Sequence, residues 1–448
     1  MRVAVCMHSE KSLFAIVICL IFLVGVVPSA VAAESLWTYS SPGDEIGDVT
    51  ISSDGSVIAV AGGKIWLFSK SGTLFGKEPY GDQVVLTPDG SYLVSSYSDT
   101  LYKFKRTPQA KESEFPFQKV WEAQLPGPIR GIDVSDDGKT VIATLNLAGI
   151  YIYDVNGIMI GGNITQKTIA LISSQGERII GVSNGVLCRF SRDAVCTRSE
   201  EGLVGQESPV GAMPDFLEIS GTGNIAAFNE GPRLRSVFPD NNTLRWEKSV
   251  NGDITSLAIT PSGSGTLVGT SKGNVTLFDQ SGNISWNYVS DSGSSQNGEI
   301  TCVALSKEET VVAAGSKNGN VIVLNSTGDL ILSNQTKDHI QHIAMSADGS
   351  IIIATGDSTV YAFAPSKQPV PLKKTPTKTS IPGRTQSKAT VPADDSTRKP
   401  EISGPATQKI TPEFTEYSVI KTSTQSPLSG LIPLAGLLTA VLVMARRR

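Results

Sequence analysis

Acidic side chains recur at one kind of position in this chain, the loop that leads into the first strand of a predicted repeat. These loops contain Asp44-Glu45, Asp253, Glu299 and Asp338-His339, and the candidate metal ligands are Asp44, Asp253, Glu299 and Asp338. Carboxylate oxygens that converge from several loops are ligands that Ca²⁺ prefers. Acids in exposed turns also serve only to cap the turn and to face water, and this alternative stays open. The loops therefore support a calcium hypothesis, which requires that the fold gather them at one mouth.

The sequence contains few residues that could act in catalysis. The chain has 3 histidines, and only His339 and His342 follow the predicted signal peptide. Histidine is the commonest general acid and base, so this count nearly excludes acid–base catalysis of that kind. We therefore predict a protein that is not an enzyme. We also predict no cofactor, and Ca²⁺ is the one ion that the residues bring into question.

The cysteines predict one disulfide. Cys188 and Cys196 flank a predicted hairpin turn of odd length, which sets their side chains opposite each other on two antiparallel strands. Export from the cytoplasm permits oxidation, whereas an anaerobic source would leave the thiols reduced. Cys302 lies in a predicted first strand, where we expect a small buried apolar residue.

Six asparagines stand in the glycosylation pattern N-x-[ST], in or near predicted hairpin turns. They are Asn163, Asn241, Asn274, Asn283, Asn325 and Asn334. A glycan at such a turn would face solvent, so we predict glycosylation at some of them. The alternative is that turns favour Asn, Ser and Thr for their own reasons.

The elements that position these residues form a repeat. The stretch from Ile254 to Tyr288 contains four short β-branched or aromatic runs separated by turns of Gly, Asn and Ser, which is the pattern of strands and hairpins. The turn after the first strand recurs eight times, at intervals of 35 to 48 residues, as Asp54-Gly55, Asp89-Gly90, Asp137-Gly138, Gln175-Gly176, Thr222-Gly223, Ser262-Gly263, Glu308-Glu309 and Asp348-Gly349. A period of this length is typical of propeller blades.

The two ends of the repeat region complement each other. Leu36 to Tyr39 resembles a fourth strand that lacks its own blade, and the eighth copy has only three strands. We therefore predict an all-β, eight-bladed β-propeller of four-stranded antiparallel blades, closed by the N-terminal strand. Closure removes the exposed sheet edges of an open stack. The alternative is seven blades, with the degraded fifth copy around Arg233 to Phe238 absorbed elsewhere.

The repeats resemble the WD40-like and quinoprotein-like (PQQ-like) β-propellers. The segment Val268 to Val275, VGTSKGNV, is similar to the core of a quinoprotein repeat, and Asp279, Gly282 and Trp286 resemble that family's tryptophan-docking motif, which ties blade to blade. The gap between Asp279 and Gly282 is one residue shorter than in the family pattern. Trp37, Trp121 and Trp246 occupy equivalent fourth-strand positions. The dehydrogenases of that family carry adjacent cysteines and a Ca²⁺-bound cofactor, and this sequence has no adjacent cysteine pair.

Charge separates the chain into two parts. Residues 33–364 contain 23 Lys and Arg against 36 Asp and Glu, a net charge of −13, whereas residues 365–426 contain 10 against 5, a net charge of +5. An acidic surface repels phosphate backbones, so we expect no nucleic-acid partner.

The segments outside the repeats indicate export and membrane attachment. Residues 1–33 have the positive start, apolar run and small-residue cleavage site of a signal peptide, and an uncleaved anchor is the alternative. The propeller is predicted over 34–364, and residues 365–427 form a Pro-, Thr-, Ser- and Lys-rich linker without hydrophobic period, which predicts disorder. Residues 428–448 consist of an apolar run, Leu428 to Ala445, followed by three arginines. The run is about the minimum length for a membrane span and the arginines place the C-terminus in the cytoplasm, which predicts a transmembrane anchor or a sorting signal. The tail resembles prokaryotic surface-sorting tails, and the archaeal form is the closer match.

Together these features predict a non-enzymatic surface protein on the outer side of the membrane. We expect it to present a propeller to envelope proteins or glycans, as an interaction or adhesion module. The alternatives are a quinoprotein-type dehydrogenase or its accessory subunit, and a scaffold for envelope assembly. Propellers host many unrelated functions, so the fold does not choose among ligands.

Overall fold

The computed structural model describes residues 35–365, apart from 42–44, 79, 108–114, 146–148, 164–166, 198–212 and 291–297. Every regular element in this part of the chain is a β-strand. No helix among the described residues is long and apolar enough to span a membrane. The predicted signal peptide, nearly all of the linker and the C-terminal anchor lie outside the described residues.

The strands form eight four-stranded antiparallel sheets, and each is one blade. The first strand, β1, is Trp37–Ser40. Blade 1 consists of β2 (Asp48–Ile51), β3 (Ile58–Ala61), β4 (Ile65–Phe68) and β5 (Leu74–Glu78). Blade 2 consists of β6 (Gln83–Leu86), β7 (Tyr92–Tyr97), β8 (Thr100–Arg106) and β9 (Phe117–Gln124). Blade 3 consists of β10 (Ile129–Val134), β11 (Val141–Leu145), β12 (Ile150–Tyr153) and β13 (Met159–Asn163). Blade 4 consists of β14 (Thr168–Ile172), β15 (Ile179–Ser183), β16 (Val186–Phe190) and β17 (Cys196–Thr197).

The second half repeats the same arrangement. Blade 5 consists of β18 (Leu217–Ile219), β19 (Ala226–Glu230), β20 (Arg233–Phe238) and β21 (Thr243–Ser249). Blade 6 consists of β22 (Ile254–Ile259), β23 (Thr266–Thr270), β24 (Asn274–Phe278) and β25 (Ile284–Val289). Blade 7 consists of β26 (Ile300–Leu305), β27 (Val311–Ser316), β28 (Asn320–Asn325) and β29 (Leu330–Gln335). Blade 8 has β30 (His342–Met345), β31 (Ile352–Thr355) and β32 (Thr359–Phe363).

The N-terminal strand completes the last blade, as the sequence predicts. β1 pairs antiparallel with β32, from Trp37 opposite Ala362 to Ser40 opposite Thr359. The first strands of neighbouring blades contact one another all the way round, from β2 through β6 and onward to β30 and back to β2. The prediction of eight blades is therefore confirmed, and the degraded fifth copy is a complete blade.

A buried hydroxyl shapes the turn after every first strand. It stands two residues before the first residue of the recurring turn, which is Asp in four of the eight copies. The hydroxyl residues are Ser52, Thr87, Ser135, Ser173, Ser220, Thr260, Ser306 and Ser346, none more than 4% exposed. In blade 1 the Ser52 hydroxyl donates to Asp54 at 2.7 Å and accepts the N–H of Val57 at 3.0 Å. The hydroxyl and the carboxylate thus satisfy backbone donors within the turn itself, a local bond of the kind that favours turns. Gly55 follows with a φ of 72°, a left-handed conformation that glycine adopts freely.

These turns are also linked from blade to blade by backbone hydrogen bonds. The N–H of Ser53 in blade 1 donates to Pro88 of blade 2 at 2.7 Å, and the N–H of Ala347 in blade 8 donates to Ser53 at 2.9 Å. Bonds of the same kind join blades 3 to 4, 4 to 5, 5 to 6 and 7 to 8. The chain of bonds is interrupted after Pro88 and Pro261, because proline has no backbone N–H.

Side chains bridge both interruptions. Between blades 6 and 7, the Glu309 carboxylate accepts the N–H of Ser262 at 3.0 Å and the hydroxyl of Ser264 at 3.3 Å. Between blades 2 and 3, the Lys103 ammonium group donates to the carbonyl oxygen of Gly138. Lys103 is fully buried, and its Nζ lies 4.7 Å from the centre of the Tyr92 ring.

Tryptophans of the fourth strands fasten successive blades at the outer part of the ring. Each indole packs on a glycine in the last turn of the following blade, in the pairs Trp37–Gly72, Trp121–Gly157, Trp246–Gly282 and Trp286–Gly328. A Cβ atom on Gly282 would lie 2.8 Å from the Trp246 ring, so only glycine fits there. The Nε1–H of Trp286 donates to the Ser326 carbonyl at 3.0 Å. The motif residues Gly282 and Trp286 therefore serve two different junctions, one on each side of blade 6.

Candidate functional site

Two sets of loops meet at one end of the ring, which we call the top face. These are the loops that lead into the first strands and the turns between the second and third strands. A cavity of about 590 Å³ opens there between blades 8, 1 and 2. Its walls are formed by Glu45, Ile46, Gly47, Gly62, Gly63, Asp82, Gln341 and His342.

The cavity carries two carboxylates and no Lys or Arg side chain. Glu45 and Asp82 are both exposed, and the N–H of Ser98 donates to Asp82 at 3.0 Å. Gln341 is held by its bond from Nε2 to Asp357 at 2.9 Å. Burial lowers the pKa of His342 below its usual value, which favours the neutral imidazole. The cavity is therefore a negatively charged recess suited to a cationic group.

Three further carboxyl groups lie on the first strands of blades 1, 3 and 5. Asp48 on β2 accepts the N–H of Val84 from the next blade at 3.0 Å, and Asp133 on β10 accepts the N–H of Ile172 at 2.9 Å. Burial raises the pKa of Asp48 and of Asp133 to about 6, although these donors oppose the shift. Asp48 and Asp133 thus connect the first strands of neighbouring blades, which belong to different sheets and share no ladder of backbone hydrogen bonds.

Glu218 on β18 is the third of these groups. It stands two residues before the buried Ser220. In all eight first strands, the side chain two residues before the buried hydroxyl is partly exposed. Burial, and to a smaller extent the charge of Asp133, raise the pKa of Glu218 to about 8. Glu218 is therefore mostly protonated at neutral pH.

We expect Glu218→Gln to stabilise the propeller in alkaline solution and to have little effect in acid. Between its ordinary pKa of 4.5 and the folded value of about 8, the folded chain holds a proton that the unfolded chain releases, so stability falls as pH rises. The amide cannot ionise and avoids this loss. Chemical denaturation should show a gain of about 2–4 kcal/mol at pH 8.5 relative to the gain at pH 4.5. Glu122→Gln on the outer strand β9 is the control, and a gain that does not vary with pH would contradict the expectation.

The residues of the calcium hypothesis are only partly placed. Asp44 lies outside the described residues. Glu299 pairs with Lys317 at 3.1 Å, and Asp338 accepts the Tyr361 hydroxyl at 2.6 Å. Asp253 lies in the exposed loop before β22. Among described residues, no group of three or more His, Cys, Asp or Glu side chains is arranged to hold a metal ion. The calcium ring thus stays a prediction.

Potential nucleophiles are engaged in the fold. Cys302 is 8% exposed, and burial raises the pKa of its thiol to about 12, which keeps the reactive thiolate unpopulated. Two stretches fit the pattern G-x-S-x-G, at 181–185 and 269–273, but both are β-hairpins. Ser183 is buried and accepts the Thr168 hydroxyl at 3.1 Å, and Ser271 accepts the N–H of Asp253 at 3.0 Å.

The disulfide and the sequons have defined positions. Cys188 and Cys196 are bonded across the last hairpin of blade 4, with Cα atoms 5.2 Å apart. Asn241 and Asn283 are exposed, and Asn325 and Asn334 are half-buried; the side chain of Asn163 lies outside the described part. Asn274 corrects the expectation that every sequon faces solvent. It is only 9% exposed, and its Nδ2 donates to Thr270 and Asn251, because the turn folds back over it.

Sequence reasoning missed Asp82, Asp48, Asp133 and Glu218. A signal for the last two is present in the sequence, since each is an acid inside an apolar strand, two residues before the recurring Ser. Asp82 precedes β6 as the predicted acids precede their own strands. Which acids share a cavity could not be inferred, because the answer depends on how three blades are placed around the channel.

Comparison with known proteins agrees with this architecture. A family model described as the Vps8 β-propeller matches residues 242–390. No curated protein matches the chain in sequence. Sqt1 from Chaetomium thermophilum, solved with the N-terminus of the ribosomal protein L10 bound, is similar with a TM-score of 0.61 and 16% identity, over 74% of this chain and 100% of that one. Sqt1 from Saccharomyces cerevisiae has a TM-score of 0.58 and 14% identity, over 74% and 99%. At these identities the likeness establishes the β-propeller fold alone.

Proposed function

We propose that this WD40-like β-propeller is a non-enzymatic interaction scaffold at the surface of a prokaryotic cell. The C-terminal tail resembles the archaeal form of surface-sorting tails more than the bacterial form, so we propose an archaeal source. The signal peptide exports it, the linker at 365–427 holds the propeller away from the membrane, and residues 428–448 attach it there. Its partners are envelope proteins or glycans. The observation that carries the proposal is the open acidic cavity of the top face.

The chemistry of that cavity defines the protein partner. Two carboxylates without a neighbouring Lys or Arg in the lining favour a basic side chain or a terminal amine. Sqt1 has been solved with the N-terminus of another protein bound, which shows that a propeller of this fold accommodates a chain terminus. We infer that the top face binds an exposed basic loop or terminus of an envelope protein.

The engaged nucleophiles support a binding function over catalysis. The Cys302 thiol is buried, and the serines of both G-x-S-x-G stretches bond within hairpins. The tryptophan–glycine contacts between blades favour the quinoprotein-like repeat as the origin of this propeller. That resemblance keeps a dehydrogenase, an accessory subunit and an assembly scaffold as alternatives. Turnover of an alcohol or sugar with a bound quinone would contradict the scaffold function.

Removal of charge from the cavity is expected to weaken binding of a basic peptide. The full chain is titrated with a ten-residue probe of alternating Lys and Gly, and with the matched Glu and Gly probe. The double variant Glu45→Gln/Asp82→Asn should lose at least about 10-fold in affinity for the basic probe, because two attractive charges are removed. Wild-type affinity should also fall as salt is raised.

The matched control carries the same change of charge on the same face. Asp253→Asn/Glu299→Gln removes two carboxylates outside the cavity and should retain most of the affinity. Equal losses in the two double variants would show that only the overall charge matters. Equal binding of the basic and acidic probes would contradict the proposed site.

A further inference from the structure

Three tyrosines of blade 2 form an exposed aromatic surface that the fold does not require. Tyr80 and Tyr97 are 51% and 39% exposed, and Tyr102 adjoins them. Among the described residues, Phe238 on blade 5 is the one other aromatic side chain exposed to this degree. We call Tyr80, Tyr97 and Tyr102 the tyrosine patch.

The rings of the patch lie together. The ring centres of Tyr80 and Tyr97 are 5.3 Å apart with planes inclined at 48°, and Tyr80 is nearly parallel to Tyr102 at 6.4 Å. Tyr102 in turn stacks on Phe104, which belongs to the core between blades 1 and 2. The patch is thus a shallow aromatic corner supported from below by the packed interior.

The backbone that carries Tyr80 is held firmly. A Cβ atom on the neighbouring Gly81 would lie 2.4 Å from Ile65, so the loop packs directly against β4. The N–H of Asp82 donates to Ser96 at 2.7 Å, and the Asp82 carboxylate accepts the N–H of Ser98. The loop therefore presents Tyr80 to solvent in a defined position, which is how binding residues are displayed.

Polar groups flank the patch at its turn. Asp99 follows Tyr97 by two residues, and its carboxylate accepts the Thr100 hydroxyl at 3.2 Å and the Gln124 amide at 3.4 Å. Gln124 is exposed. A carboxylate and an amide offer acceptors and donors of the kind that pair with several hydroxyl groups.

We propose that the tyrosine patch is a binding site for neutral carbohydrate. The apolar face of a pyranose ring covers an exposed aromatic face, while hydroxyl groups at its edge donate to Asp99 and pair with Gln124. An apolar peptide would leave Asp99 and Gln124 without new partners, and an anionic ligand would be repelled by Asp99. The inference rests on the proposed binding function and specifies its glycan partner, at a site separate from the acidic cavity.

The test measures binding of three sugars to the full chain, namely cellohexaose, maltohexaose and mannohexaose. Binding is detected by calorimetry and by tyrosine fluorescence. We expect at least one probe to bind with a dissociation constant in the millimolar range or below. Tyr80→Ala and Tyr97→Ala should each weaken that binding by at least about 10-fold. Tyr80→Phe should stay within about threefold of wild type, because stacking needs the ring and not the hydroxyl.

Two controls distinguish sugar binding at the tyrosine patch from binding elsewhere on the propeller. Phe238→Ala removes an aromatic residue of similar exposure from another blade and should leave binding unchanged. Glu45→Gln, which does not touch the loop that carries Tyr80, should weaken binding of the basic peptide and not of the sugar, and Tyr80→Ala should do the reverse, so the two sites fail independently. Absence of binding to all three hexaoses, or binding that survives Tyr80→Ala and Tyr97→Ala, would overturn the proposal.

Discussion

Deletion of residues 36–40 from the full chain is expected to lower the melting temperature of the propeller by about 10 °C. These residues contain β1, which supplies the fourth strand of blade 8. Trp37 packs on Gly72 of blade 1, and its Nε1–H donates to the carbonyl oxygen of Lys70 at 3.0 Å. The Tyr39 ring meets the Phe68 ring edge-on, with the ring centres 4.9 Å apart. Without β1, blade 8 loses its outer strand and the ring loses the contacts that close it.

The size of this effect follows from the burial involved. Two aromatic side chains and one strand ladder amount to about 5 kcal/mol of unfolding free energy. Trp37→Ala should account for about 3 kcal/mol of it, since the indole makes most of the contact with blade 1. Differential scanning calorimetry of both variants measures the loss.

Leu36→Ser is the control for the deletion. Leu36 is 52% exposed, and its backbone N–H bond to Ala362 does not depend on the side chain. The control should melt within about 1 °C of wild type. An unchanged melting temperature after the deletion would show that the ring closes without β1.

Substitution of Lys103 by alanine is expected to cost about 4 kcal/mol of unfolding free energy. The side chain is fully buried on β8 and donates to the Gly138 carbonyl, at the junction where Pro88 cannot continue the bonds between turns. Its Nζ lies 4.7 Å from the Tyr92 ring centre and 5.9 Å from that of Trp121. Alanine leaves a cavity beside both rings and an unpaired carbonyl.

Lys103→Met separates packing from the polar contact. Methionine fills nearly the same volume and removes the desolvated charge, whose burial lowers the pKa of Lys103 to about 8. We therefore expect this variant to lose only about 1 kcal/mol, the size of one hydrogen bond. Urea denaturation at pH 7 gives the unfolding free energies of wild type and both variants.

Lys105 provides a matched control on the same strand. It is exposed, and its Nζ lies 6.0 Å from the same Tyr92 ring. Lys105→Ala should cost at most about 0.5 kcal/mol. If Lys103→Ala were equally mild, the bridge between blades 2 and 3 would not contribute to stability as described.

The blade count and the closure could be predicted because their determinants are local. The turn after each first strand is built from bonds within about five residues, such as those of Ser52 with Asp54 and Val57. Short strands, recurrent turns and two incomplete ends are all visible along the chain, so the sequence predicts the eight-bladed ring, and the complete fifth sheet excludes the alternative of seven blades.

The sites required the tertiary structure, because they join residues from different blades. Asp82 shares a cavity with Glu45 and His342, whereas Glu299 is paired with Lys317. Asn274 carries the same sequon pattern as the exposed Asn241 and Asn283, yet neighbouring backbone covers it. Lys103 is buried between two rings of its own blade and the Gly138 turn of blade 3. Exposure, charge pairing and pKa depend on the adjacent blade, about 40 residues away in sequence, and no local pattern specifies what that blade places opposite a given side chain.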